Sequence, residues 1–333
     1  MNLHESETDF VDLIQTTAAD LGISAVLVEK DYWVTFVLKR LSLSGHANDV
    51  VFKGGTSLSK AHKLIHRFSE DIDLALKPSA FTTENSAKKK LRNIEKDLMN
   101  APFVENTADE GKVTDMKIRK SAHTFPTLKV GGTYAQGHQQ IILEINRYTT
   151  PTPTSVLPLM SLAGEFLVKS KNNTALSDYG LESFELEVLS LKRTFVEKIC
   201  GLAKASRDDY QDMKHLKSKV RHLYDVALLY EHPEVKNFFT SKDFDEIFEN
   251  VRSEDQKNVD GKGKWAHLKL RDCLLAKDSE GTLKRVKDVY ENEFYKGFVY
   301  QGRPLPSIKI VGNVIDAIFK RVKVIEDGQD IDK

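Results

Sequence analysis

Cysteine is nearly absent from this chain of 333 residues: there are two, Cys200 and Cys273, far apart in sequence. With no C-x-x-C pair and no Cys/His cluster, a disulfide framework and a structural zinc site are excluded, and each thiol reads as a small apolar residue. Net charge is absent too. Lys plus Arg and Asp plus Glu each number 49, which excludes a globally basic nucleic-acid binder but not a locally basic face. No stretch approaches the roughly 18 consecutive apolar residues of a membrane-spanning helix. The opening MNLHESETDF is acidic, without the basic-then-apolar order of a signal peptide. A cytoplasmic protein with no membrane partner is therefore expected. A Walker A loop is also missing: Lys60 stands four residues after Thr56 rather than beside a Ser/Thr, which argues against a P-loop kinase or ATPase.

What remains is an ordinary globular composition, 40% hydrophobic and 29% charged, long enough for two domains. Phe10, Leu13, Ile14, Thr17 and Leu21 follow helical spacing up to Gly22, and a second helix is expected after a Ser24 cap. DVVFKGG (49–55) reads as a strand entering a glycine turn, and 58–66 as a helix. EDIDLAL (70–76) alternates like a half-buried strand. A charged helix over 84–100 and strands near 113–119, 125–130 and 139–147 follow. TTPTPTSVLP (149–158) is expected to hold no regular structure, because three prolines remove donors and fix φ, and marks the domain boundary. Beyond it the pattern is mostly helical: 192–206, 217–231, 241–252, 265–276, 280–294 and 311–325. The expected fold is α+β, with an N-terminal domain over residues 1–150 containing a mixed sheet and a mainly helical domain over 151–333.

The chemistry concentrates in KGGTSLSKAHKLIHRFSEDIDLAL (53–76). On a strand, Asp71 and Asp73 leave one face while Ile72 and Leu74 leave the other. Two adjacent carboxylates repel unless a cation compensates, and Mg²⁺ with its preference for oxygen ligands is the usual one. Gly54 and Gly55 allow close backbone approach to a ligand, and Thr56 and Ser57 add hydroxyls suited to phosphate. A glycine turn followed by an acidic strand can place a nucleoside triphosphate beside a metal, the arrangement of phosphoryl or nucleotidyl transfer. Glu144, the lone charge in IILEI (141–145), is the candidate third carboxylate on a neighbouring strand, or else a solvated strand residue; Asp115 is its rival.

These residues resemble the nucleotidyltransferase signature of the DNA polymerase β superfamily. More narrowly, VEKDYWVTFVL (28–38), the 53–76 segment, RTFVEKI (193–199) and RHLYDVALL (221–229) are similar to the AbiEii/AbiGii toxin family. The resemblance implies a polymerase-β-like N-terminal domain and a Mg²⁺-dependent toxin of a type IV toxin–antitoxin pair. Such a toxin would transfer a nucleotide from an NTP to the 3′ end of tRNA and block translation during phage infection, with a cognate antitoxin as partner. It implies activity carried by Ser69, Asp71, Lys198 and Asp225, in a cleft between the two domains. Ser69 would contact phosphate or end the preceding helix. Asp225 would orient Lys198, serve as general base, or form a buried salt bridge with Arg221 or Arg193. Arg193 would contact phosphate or cap a solvated face. KSKVRH (217–222) and GKGKWAHLKLR (261–271), with Trp265 and His267, offer basic and aromatic groups for RNA. A different acceptor, a kinase-like toxin of the same fold and a non-catalytic nucleotide-binding module are the alternatives.

Overall fold

The computed structural model describes residues 1–69, 71–107, 111–126, 130–131, 139–207, 213–258, 267–300 and 302–331. The chain divides into two compact units, Met1–Leu189 and Ser190–Lys333. The break thus falls well beyond residue 150.

The first unit contains α1 (Glu7–Leu21), α2 (Ala25–Leu43), β1 (Val50–Lys53), α3 (Gly54–Lys60), β2 (Asp71–Leu76), α4 (Glu84–Leu98), β3 (Val104–Glu105), β4 (Val113–Thr114), β5 (Ile118–Thr124), β6 (Gln140–Asn146), β7 (Thr154–Leu159), α5 (Leu162–Lys169), α6 (Asn173–Asp178) and β8 (Phe184–Leu189). The strands form one mixed sheet in the order β3-β5-β6-β2-β1-β8-β7, with β4 paired to β5. β2 runs parallel to β6 and β1 parallel to β8; the other pairs are antiparallel. The helix α1 ends as expected, with Gly22 in the left-handed region at φ 65. The core is built on α2, whose Val28, Trp33, Val37 and Leu38 are fully buried, together with the inward residues of β2 and β6. Each such apolar side chain contributes roughly 1.5–3 kcal/mol. Trp33 lies within ring contact of His4, Phe36, Phe103 and Phe125. Among the described residues no single helix is long and apolar enough to cross a membrane; α1 and α2 reach that threshold only as a pair bent by 114°.

Four sequence expectations are corrected here. The segment 149–158 enters a strand, β7, despite its prolines. β7 is an edge, and Pro158 opposite Glu185 on β8 owes no hydrogen bond to a further neighbour. FELEVL, read as lying in a mostly helical region, is strand β8, inserted beside β1. The helix expected over 58–66 instead starts at Gly54 and stops at Lys60. Lys63 turns to φ 52 and the Leu64 N–H returns to the Leu58 carbonyl at 2.9 Å, closing the helix. Of the strand expected at 125–130, Phe125, Pro126 and Val130 are not in a strand and 127–129 lie outside the described residues; β5 ends at Thr124, short of Pro126, which has no N–H to donate.

The second unit is helical: α7 (Leu191–Ala205), α8 (Lys214–Lys217), α9 (Val220–Glu231), α10 (Pro233–Phe239), α11 (Lys242–Asn258), α12 (Leu274–Lys277), α13 (Ser279–Asp288), α14 (Tyr295–Phe298) and α15 (Ile308–Ile331), with a π-helical turn over Val289–Phe294. Of the helix expected at 265–276, residues 265 and 266 lie outside the described residues, as does most of the loop with Trp265; a 3-10 turn at Leu270–Asp272 and α12 occupy the rest. The α7–α11 contact gathers Arg193, Glu197, Lys204, Arg252, Glu254 and Asp255. Burial pushes the Asp255 carboxyl up to about 6, against the opposing pull of Arg252 and Lys204 and with help from Glu197 and Glu254. The folded chain therefore keeps this proton to a higher pH than the unfolded chain. The stability it contributes is complete below about pH 4 and is lost as pH rises to about 6. Asp255→Asn should raise the unfolding free energy by about 2 kcal/mol at pH 8 and leave it unchanged at pH 4, as read by urea titration at the two pH values.

Candidate active site

β2 carries the site through the alternation of its first four residues. Ile72, Leu74 and Leu76 enter the core, while Asp71 and Asp73 leave the opposite face half-buried. Register extends this face across the sheet. Asp73 lies opposite Lys53 of β1 and Glu144 of β6, and Glu144 lies opposite Lys120 of β5. One row thus reads Lys53, Asp73, Glu144, Lys120, since directly paired residues share a face. Glu144 accepts a hydrogen bond from Asn146 Nδ2 at 3.1 Å and lies 3.8 Å from Lys120 Nζ.

The glycine turn is packed against this face. Gly54 has φ +80, and a Cβ there would run into the Asp73 carboxylate. A Cβ on Gly55 would lie 2.6 Å from Arg67 Nη2 and 2.9 Å from Ser69 Oγ. Both positions need glycine, the first for conformation and space, the second for space. Thr56 Oγ1 donates to the Asp71 carbonyl at 2.5 Å, and Ser57 Oγ to the Gly54 carbonyl at 2.8 Å. The two hydroxyls brace the turn against the acidic strand. Gly54→Ala should lower activity more than a hundredfold, because it displaces Asp73, and cost about 1–3 kcal/mol of stability. Gly22→Ala, also at positive φ but facing open space, should cost about 1 kcal/mol and leave activity intact. Rates and melting curves of the two variants test this directly.

The structure therefore brings together Gly54, Gly55, Thr56, Ser57, Ser69, Asp71, Asp73 and, one strand over, Glu144. Two hard carboxylates on one face, beside a glycine cradle that a Cβ would fill, suit a divalent cation whose remaining ligands are substrate phosphates and water. Among the described residues no group of three His, Cys, Asp or Glu side chains could hold a metal by itself. Glu144, the expected third ligand, stands beside Asp73 one strand over, its carboxylate accepting from Asn146 and lying near Lys120. Asp115, its rival, caps a turn, accepting from the N–H groups of Lys117 and Ile118 at 2.6 and 2.8 Å.

The remaining candidates belong to the second unit. Lys198 Nζ donates to Asp225 Oδ2 at 2.7 Å, and Asp225 is fully buried. The structure thus gives Asp225 an ion pair with Lys198. Arg193, 2% exposed, donates to Glu197 at 3.2 Å and to Glu254. Burial alone would lower its pKa; the two carboxylates outweigh that and raise it. Its guanidinium is engaged inside the helical unit, which corrects both the phosphate-binding and the solvated-face expectations. His222 packs on Gly201, its ring 3.6 Å from where a Cβ would stand. One residue escaped the sequence reading. Arg67, 1% exposed, completes the cradle over Gly55 and donates to the Phe68 carbonyl at 3.0 Å. Its place two residues before Ser69 was the available signal; its burial was not legible.

Over residues 37–311 the sequence matches the family described as "Nucleotidyl transferase AbiEii toxin, Type IV TA system". No curated protein is significantly similar in sequence. Among solved structures the fold is similar to MenT4, a nucleotidyltransferase toxin from Mycobacterium tuberculosis H37Rv, with a TM-score of 0.56 at 16% identity, covering 94% of this chain and 89% of that one.

Proposed function

The chain belongs to the AbiEii family of nucleotidyltransferase toxins of type IV toxin–antitoxin systems, and from that premise we propose that it transfers a nucleoside monophosphate from an NTP to the 3′ end of tRNA and so blocks translation. The family implies an antitoxin partner and an NTP substrate; action against phage and a cytoplasmic location belong to the same proposal. The observation that carries the reading is the pair Asp71 and Asp73 on one strand face, with Gly54 seated against Asp73 in a backbone conformation open to glycine.

Asp71 and Asp73 would hold Mg²⁺. The cation, when bound, supplies neutralising charge for the triphosphate. The acceptor hydroxyl oxygen forms a bond to the α-phosphorus as the bond to pyrophosphate breaks, and the hydroxyl proton passes to solvent water. The glycine turn admits the phosphates to the face, and Ser69 offers a hydroxyl beside Gly55. Lys198 of the second unit, its ammonium oriented by Asp225, belongs to the same proposal. Full burial suits Asp225 to that task better than to meeting an acceptor hydroxyl.

Incubation with Mg²⁺ and each of the four NTPs, labelled at the α- or the γ-phosphate, tests the proposal against total tRNA and total protein. Label from the α-position should enter tRNA and none from the γ-position. Transfer of γ-label would make the protein a kinase, and α-label in protein alone would change the acceptor.

A further inference from the structure

The 28–33 stretch, VEKDYW, has no part in the transfer step above, yet one of its buried charges reaches the end of the helix that the glycine turn opens. Asp31 on α2 is 8% exposed, and its Oδ1 accepts from Lys60 Nζ at 2.5 Å; Lys60, the last residue of α3, is 5% exposed. Asp31 Oδ2 accepts from the backbone N–H of Leu162, the first residue of α5, at 2.8 Å. That amide has no partner within its own helix. One carboxylate thus ties α2 to the end of α3 and to the start of α5.

The tie matters because α3 cannot hold its own place. It has seven residues and no side-chain cap at its N-terminus, and a helix that short is not stable alone. Side-chain bonds fix it at both ends: Thr56 to the Asp71 carbonyl near its start, Lys60 to Asp31 at its finish. Two residues before Thr56, Gly54 is seated against Asp73.

We propose that Asp31 is a positioning residue for the nucleotide-binding turn, acting through Lys60 to fix where α3, and with it Gly54 and Gly55, lies against the carboxylates of β2. It touches no reacting atom. The inference rests on the nucleotidyltransferase reading. Removing either charge leaves the other buried without its counter-charge, which drives that side chain toward water. When Lys60 moves, the end of α3 moves with it. Replacing both charges by apolar groups of similar volume removes the drive.

The test compares Asp31→Asn, Lys60→Met and the double variant Asp31→Leu/Lys60→Met in the full chain, below the melting temperature of each. One arm measures NTP KM and kcat from transfer of α-label. The other measures hydrogen exchange over residues 54–60 without nucleotide. Each single variant should raise KM roughly tenfold with kcat changed less than about threefold, and should speed exchange over 54–60 roughly tenfold. The double variant should bring both readouts back near wild type. Folded single variants with unchanged KM and exchange would overturn the proposal. So would a double variant no better than the singles, because a charge that met the nucleotide directly could not be replaced by a methyl group. If Asp31→Asn does not fold, Lys60→Met and the double variant decide. A wild-type protein that transfers nothing would sink the functional reading, while the exchange arm would still decide whether Asp31 holds the turn.

Discussion

Asp71→Ala should reduce nucleotide transfer by at least about a thousandfold, about 4 kcal/mol of transition-state stabilisation, while the protein stays folded. The loss follows from charge. Without Asp71 the face keeps a single carboxylate at the glycine turn, Asp73, and a cation that completes its shell with phosphates and water loses one of two protein anchors. The fold survives because the bond that braces the turn uses the Asp71 backbone: Thr56 Oγ1 donates to its carbonyl, which alanine retains. Asp71 is half-buried and beside another carboxylate, so its removal also relieves repulsion. Transfer rates at saturating NTP, with a melting curve on the same sample, check both halves. Activity above about a tenth of wild type would remove Asp71 from the catalytic set.

The second large effect concerns stability. Lys198→Met should destabilise the protein by about 3–5 kcal/mol, because the fully buried Asp225 charge then loses its lysine 2.7 Å away. Burial first, then the neighbouring Tyr224 and the Asp225 charge, push the Tyr290 phenol far above its usual range. Lys198→Met/Asp225→Leu should recover most of that stability, since an apolar pair of similar volume has no charge to bury. Its activity should remain lost. A double variant that is both stable and active would make the pair purely structural and end the catalytic role proposed for Lys198. Chemical denaturation and label transfer on the three variants separate these outcomes.

How far the sequence was legible depends on the range of the interactions. Local signals were sound. Gly22 ends α1, Ser24 precedes α2, and the acidic–apolar alternation of 71–76 places both aspartates on one face. Signals that need a neighbour were not. Pro158 is compatible with a strand only because β7 is an edge, and FELEVL alternates as a strand should but was overridden by the helical pattern around it. Arg193 offered a cation to phosphate until Glu254, far along the chain, is seen to hold it. The Asp31–Lys60 pair was equally hidden, since nothing in the spacing of two residues on different helices shows that they meet.

The central claim is that Asp71 and Asp73 bind a divalent cation together with a nucleoside triphosphate at the glycine turn. Mn²⁺ titration followed by electron paramagnetic resonance, with and without NTP, tests it on the wild type and on Asp71→Asn/Asp73→Asn. The account predicts Mn²⁺ that becomes protein-bound when NTP is added to the wild type and stays with free nucleotide in the variant. Equal Mn²⁺–NTP binding by the two proteins would contradict it.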